Sequence, residues 1–135
     1  MKVFKVYLDK MTSRSDYFEQ VYAFKDKQII KVLTGLRRCG KSFLMEQIIE
    51  ELKASGISEN QIIYYRLDEF ENEALLDYKV LYERIKSQLV EGKMTYIFLD
   101  EVQLCPNFQK AVDSLFNKKN TDIYITGSNS DLLSG

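Results

Sequence analysis

The sequence predicts an α/β fold, a mostly parallel sheet with helices on both faces. Two patterns carry that prediction. Strand-like apolar runs alternate along the chain with segments of helical spacing, as βαβ units require. Two of the runs, Tyr96-Ile97-Phe98-Leu99 and Ile123-Tyr124-Ile125, are continuously apolar, which suits strands buried on both sides. With 135 residues, 45% hydrophobic and 29% charged, the chain is sized for one globular domain with a real core.

The elements follow in order. Val3 to Leu8 reads as a strand or as a lead-in to the domain. From Ser15, a fitting N-cap, the residues Tyr17, Phe18, Val21 and Tyr22 recur at helical spacing. A strand is expected over Gln28–Thr34 and then, past a glycine-bounded loop, a helix over Lys41–Ala54. That helix carries Phe43, Leu44, Ile48, Ile49 and Leu52 on its apolar side, and Gly56 stands where it should stop. A second strand covers Gln61–Leu67. An acidic loop leads to a helix over Tyr78–Val90, ended by Gly92. The third strand is Thr95–Asp100, the next helix Phe108–Asn117, and the fourth strand Asp122–Thr126. No internal repeat or low-complexity linker interrupts this series.

Composition narrows the function classes. The formal net charge is −1 and no long Lys/Arg run occurs, so a nucleic-acid footprint is not indicated. No apolar stretch approaches the ~20 residues of a membrane span, and Met1 to Lys10 lacks the apolar core of a signal peptide. Cys39 and Cys105 are too few for a disulfide framework or a zinc site, which suggests a reducing, cytoplasmic setting. Histidine is absent, which removes Ser-His-Asp and Cys-His catalysis. Acid–base work falls to carboxylates, Lys, Tyr or water.

The segment Gly35-Leu36-Arg37-Arg38-Cys39-Gly40-Lys41-Ser42 fits the phosphate-binding P-loop pattern, and it lies between an expected strand and an expected helix. Polyphosphate oxygens need a concave row of backbone N–H groups, and glycine permits the dihedrals and the close approach. The helix starting near Lys41 directs its positive end at the phosphates. Lys41 supplies a full charge to the β- and γ-phosphates, and Ser42 offers a hydroxyl to Mg²⁺. The nucleotide-contacting residues expected are thus Gly35, Leu36, Arg37, Arg38, Cys39, Gly40, Lys41, Ser42 and Phe43. Arg37 and Arg38 have a second reading as solvated loop residues, and Cys39 as a small tolerated one.

Two acidic pairs follow apolar strands, Asp68-Glu69 and Asp100-Glu101. The metal-holding role needs an aspartate at the end of a buried strand beside the cradle. The strand before Asp100 is unbroken, whereas Arg66 interrupts the earlier one. Asp100 is therefore the expected Mg²⁺ partner and Glu101 the base that activates water. Asp68 and Glu69 read as a solvated acidic loop. After the fourth strand, Thr126-Gly127-Ser128-Asn129-Ser130 can place a polar group, Ser128 or Asn129, at the γ-phosphate or the attacking water.

The stretches TGLRRCGKSFLMEQI, YIFLDEVQ and IYITGSNSDLLSG together resemble an AAA-type P-loop ATPase, and more narrowly a prokaryotic group whose AAA-like domain precedes a poorly characterised C-terminal domain. Gln103 fits that group; Phe108 stands in the region where a Trp is usual. The resemblance implies a three-layer P-loop NTPase sheet in which the Asp122–Thr126 strand lies between the cradle strand and the Asp100 strand. Asn129 or Ser128 would then act as sensor 1, and adenine would sit near Tyr17 to Lys27. It also implies a fifth strand, an arginine finger and a further domain beyond Gly135. The expectation is thus an incomplete domain over 1–135 with residues 1–14 as lead-in. Its cradle strand would be an open edge, prone to pairing with another chain or to poor solubility. A protein partner or self-association is expected through the C-terminal region, and no membrane.

Three functions remain open on these residues. The first is ATP hydrolysis driving conformational change, with weak or undetectable turnover from 1–135 by itself. The second is a nucleotide-gated binding module. The third is a small-molecule kinase, for which no Arg-rich lid motif is seen. GTP is disfavoured because no Asn-Lys-x-Asp run specifies guanine.

Overall fold

The computed structural model describes residues 2–9, 14–35, 40–128 and 132–133, with the backbone alone at 14 and 15. Five strands and four helices follow one another as β1 (Val3–Leu8), α1 (Arg14–Tyr22), β2 (Ile30–Gly35), α2 (Lys41–Ala54), β3 (Ile62–Arg66), α3 (Tyr78–Lys86), β4 (Thr95–Asp100), α4 (Phe108–Phe116) and β5 (Thr121–Gly127). All strand pairs are parallel, and the sheet order is β1-β2-β5-β4-β3. This is the three-layer P-loop arrangement, with β5 inserted between the cradle strand and the Asp100 strand as expected.

One expectation is overturned. The fifth position is filled, and β2 is not an open edge. β1 pairs with it along its whole length, from Val3 opposite Ile30 to Leu8 opposite Gly35. Val3 to Leu8 has the alternating pattern of a strand, with Val6 and Leu8 buried, so it finds β2 within its own chain. The physical ground for strand pairing across a dimer at that edge is therefore gone.

The pleat sorts the core into two faces. Tyr96 and Phe98 of β4 and Tyr124 of β5 meet α1 and α2 on one side, joined by Val21, Leu44, Met45, Ile48 and Leu52. Ile97 and Leu99 of β4 and Ile123 and Ile125 of β5 meet α3 and α4 on the other, with Leu81, Ile85, Val112 and Leu115. The Phe98 and Tyr124 rings stack at 4.6 Å across β4 and β5. Each large side chain so buried contributes about 1.5–3 kcal/mol.

Helix α2 has the predicted bounds, but Phe43 departs from its apolar side and is 60% exposed. α3 ends at Lys86, short of the expected Val90. The Val90 N–H instead donates to Thr95 Oγ1 at 3.0 Å, turning the chain into β4. The acidic loop after β3 is wound into 3₁₀ turns over Phe70–Leu76, because Leu75 is buried there. Among the described residues no helix is long and apolar enough to cross a membrane.

At the N-terminal end of the sheet, Lys31 of β2 and Asp122 of β5 form a fully buried ion pair. Asp122 also accepts the Asp26 N–H and the Tyr124 hydroxyl, both at 2.9 Å, and Asp26 accepts the Tyr96 hydroxyl. Burial pushes the Asp122 carboxyl up and the Lys31 ammonium down despite their mutual attraction. Desolvation thus outweighs the pairing, so either partner left alone is the worst case. Lys31→Met should cost about 3–5 kcal/mol, and adding Asp122→Leu should recover most of it. Denaturant midpoints of the two variants check this. Burial likewise pushes the Cys105 thiol up to about 11. Iodoacetamide at about pH 8 should leave Cys105 unmodified until denaturant is added, as mass spectrometry would read.

Candidate nucleotide site

Parallel strands bring their C-terminal ends to one rim, and the predicted residues Gly35, Lys41, Ser42, Asp100, Glu101 and Ser128 lie there. Gly35 closes β2 with φ 148°, and a Cβ at this position would lie 2.6 Å from the Leu8 carbonyl oxygen. Only glycine lets β1 and β2 approach so closely while the chain turns away. Leu36, Arg37, Arg38 and Cys39 lie outside the described residues, so the body of the expected cradle is not described. The chain resumes at Gly40, with φ 87°, and α2 starts at Lys41.

Lys41 is 5% exposed, and its ammonium donates to the Gly35 carbonyl at 2.8 Å and to Ser128 Oγ at 3.2 Å. The Ser128 hydroxyl in turn donates to Glu101, 3.1 Å from Oε1. Gln103 Nε2 donates to the same oxygen at 3.1 Å. Ser42 and Thr126 donate their hydroxyls to the two oxygens of Asp100, Ser42 to Oδ2 and Thr126 to Oδ1. Thr126 Oγ1 also accepts the Glu101 N–H at 2.9 Å. Lys41, Ser42, Asp100, Glu101 and Ser128 therefore belong to one polar cluster, while Asn129 lies outside the described residues.

Glu101 follows the last residue of β4 with φ 56° and ψ 50°, a left-handed conformation that costs a non-glycine residue on the order of 1 kcal/mol or more. It is held by its Thr126, Ser128 and Gln103 bonds. Gly127 has a packing role here: a Cβ on it would lie 2.5 Å from Leu132 Cδ2 and 2.8 Å from Gln103 Oε1.

A cleft of about 470 Å³ opens over this rim, lined by Gly40, Lys41, Ser42, Phe43, Arg66, Asp68 and Glu101. Phe43 leaves the core in order to line it. Of the other acid–base candidates, Tyr64 stays protonated, because burial and the nearby Asp100 charge push its phenol far up. No residue from Tyr17 to Lys27 lines the cleft, and Asp26 at the end of that segment bonds at the opposite end of the sheet.

Among the described residues no group of three His, Cys, Asp or Glu side chains forms a metal cage. The hydroxyl of Ser42 beside the Asp100 carboxylate suits Mg²⁺, which takes hard oxygens and is usually held by one or two carboxylates with substrate phosphates.

The profile of a family described as an AAA domain matches residues 27–135. The chain belongs to the AAA domain family. That family implies nucleotide binding and ATPase-like activity in general. An uncharacterised protein of Haemophilus influenzae is 39% identical to this AAA domain over 126 residues, covering 93% of the chain and 32% of that protein. Two uncharacterised proteins of Methanocaldococcus jannaschii are 36% and 28% identical, over 78% and 79% of the chain but 22% and 23% of their own lengths. The chain thus spans a third or less of these curated relatives. No solved structure matches it significantly.

The sequence assigns no role to Thr126 or Arg66 and reads Asp68 as part of a solvated acidic loop, yet all three stand at the rim. Thr126 is the last polar residue of an apolar strand, a position that points its hydroxyl at the neighbouring strand end. Arg66 breaks the apolar run of β3, which is its visible signal; Asp68, marked by the acidic pair it forms with Glu69, has a side chain only 27% exposed and lines the cleft. Thr126→Val should leave the buried Glu101 N–H without an acceptor and lower stability by about 1–3 kcal/mol, while Thr126→Ser should keep most of it. Urea denaturation of the pair reads the difference.

Proposed function

We propose that this AAA domain binds Mg-ATP in the cleft over the sheet rim and, within the complete protein, hydrolyses it to drive conformational change. The observation that supports this best is the linkage of Lys41, Ser128 and Glu101 by hydrogen bonds, beside Asp100 held by Ser42. A cation and a base-type carboxylate thereby line one cleft, and the buried metal-type carboxylate is reached through Ser42, which lines it too.

In this reading the Lys41 ammonium leaves the Gly35 carbonyl for phosphate oxygens. Mg²⁺, when bound by Ser42 and Asp100, would neutralise charge on the β- and γ-phosphates. Glu101 orients a water and takes its proton as the water oxygen bonds to the γ-phosphorus. The bond from that phosphorus to the β–γ bridging oxygen breaks, and its electron pair leaves with ADP. Ser128, hydrogen-bonded to both Lys41 and Glu101, would report the γ-phosphate to the base in this reading, with Asn129 as the alternative sensor.

The sequence stretches shared with the prokaryotic group in which a further domain follows, and the small share of its relatives that the chain spans, support a larger protein on which this domain acts. A dependence on ATP fits a cytoplasmic setting. The alternative, a nucleotide-gated module with little turnover, draws support from the engagement of both Glu101 oxygens by the Ser128 hydroxyl, at 3.1 and 3.3 Å.

Calorimetric titration with Mg-ATP should give one site, and Lys41→Ala should weaken it at least about tenfold. An unchanged affinity in that variant would refute the site. In the complete protein, Glu101→Gln should keep Mg-ATP affinity and lower phosphate release by about 10²–10⁴-fold. Equal release by wild type and variant would remove Glu101 from the chemistry and favour the gated module.

A further inference from the structure

We infer that Arg66 is a γ-phosphate contact supplied by this chain itself, so that the cleft distinguishes ATP from ADP through a guanidinium on β3. The inference rests on the nucleotide reading above and adds a residue that the phosphate-loop pattern does not contain.

Position comes first. Along the rim, in sheet order, stand Gly35 with Lys41, then Thr126 and Ser128, then Asp100 and Glu101, then Arg66. Arg66 is paired in register with Asp100, so the last residue of β3 lies beside the last residue of β4. It lines the same cleft as Lys41, Ser42 and Glu101. Lys41 and Arg66 thus bring positive charge from the two ends of the row, with the proposed base between them.

Hydrogen-bonding capacity comes second. Nε of Arg66 lies 3.5 Å from Glu69, 3.7 Å from Asp100 and 3.8 Å from Asp68. These are ion-pair distances, yet Nε is shielded from solvent and makes no hydrogen bond among the described residues. An arginine whose task is to neutralise carboxylates normally closes a fork of short bonds on one of them. Here one cation is shared among three carboxylates and bonded through Nε to none. The side chain is 40% exposed overall and lines the cleft.

Chemistry comes third. A planar guanidinium with donors to spare matches the oxygens of a terminal phosphate, which accept two parallel N–H bonds. ADP lacks that group, so a contact made only to it changes the affinity for one nucleotide and not the other. Phosphoryl transfer spreads charge onto the same oxygens, so an arginine there also favours the transition state. The near carboxylates hold the guanidinium at the rim until a phosphate competes for it.

The test is binding, independent of turnover. The full chain, and the Arg66→Ala and Arg66→Lys variants, are titrated calorimetrically with Mg-ADP and with Mg-ATP. Arg66→Ala should lose about tenfold or more in ATP affinity while its ADP affinity stays within about twofold, and Arg66→Lys should recover part of the ATP loss. Equal losses for both nucleotides would mean that Arg66 acts only through Asp100 or the fold, and unchanged ATP affinity would remove it from the site; either result overturns the inference. A wild type that binds neither nucleotide refutes the nucleotide reading itself. Should Arg66→Ala melt early, Arg66→Lys carries the same comparison, since it keeps the charge and loses only the fork.

Discussion

A buried carboxylate governs this end of the molecule. Asp100 is 1% exposed at the tip of β4, an interior strand, and a carboxylate there must collect donors from whatever surrounds it. It takes a hydroxyl from α2 through Ser42 and one from β5 through Thr126, and it draws Arg66 in from β3. One residue thereby fixes the start of α2 and the ends of three strands relative to one another. Thr126 passes the constraint on, because the same oxygen that donates to Asp100 receives the Glu101 N–H. The left-handed turn at Glu101 is then tied to the strand ends on which it depends.

The other end of the sheet is organised by a buried charge as well, with a different result. Asp122 has its own lysine, a backbone N–H and a tyrosine hydroxyl, and both side chains of the pair are fully buried. Asp100 has hydroxyls and a cation shared with two other acids, and two of those partners, Ser42 and Arg66, line the cleft. The contrast separates a carboxylate closed within the core from one whose surroundings can be exchanged for a ligand's.

Much of this was legible in the residues. Continuous apolar runs marked β4 and β5 because both faces of a central parallel strand are covered, and glycine punctuation bounded α2. The order of the strands came from resemblance, since alternation alone does not say which strand lies beside which. What stayed hidden depends on partners distant in sequence. Val3 to Leu8 could be assigned to β2 only by knowing that Leu8 meets Gly35. Phe43 has helical spacing yet lines the cleft, 60% exposed in the first turn of α2. Arg66 looked like a flaw in a strand, and Thr126 like ordinary strand composition, until the rim brought them beside Asp100.

The place of β5 has a consequence for how the molecule forms. The last of the five described strands, β5, occupies the middle of the sheet, between β2 and β4, so neither of those can complete its pairing until Thr121–Gly127 has been synthesised. Until then two halves, β1 with β2 and β3 with β4, each present an unpaired apolar flank. Closure joins contacts nearly a hundred residues apart, Lys31 opposite Tyr124 among them, which makes it a slow event dominated by loop entropy. The rim is completed only at that step, because Thr126 and Ser128 stand between Lys41 and the Arg66–Asp100 pair.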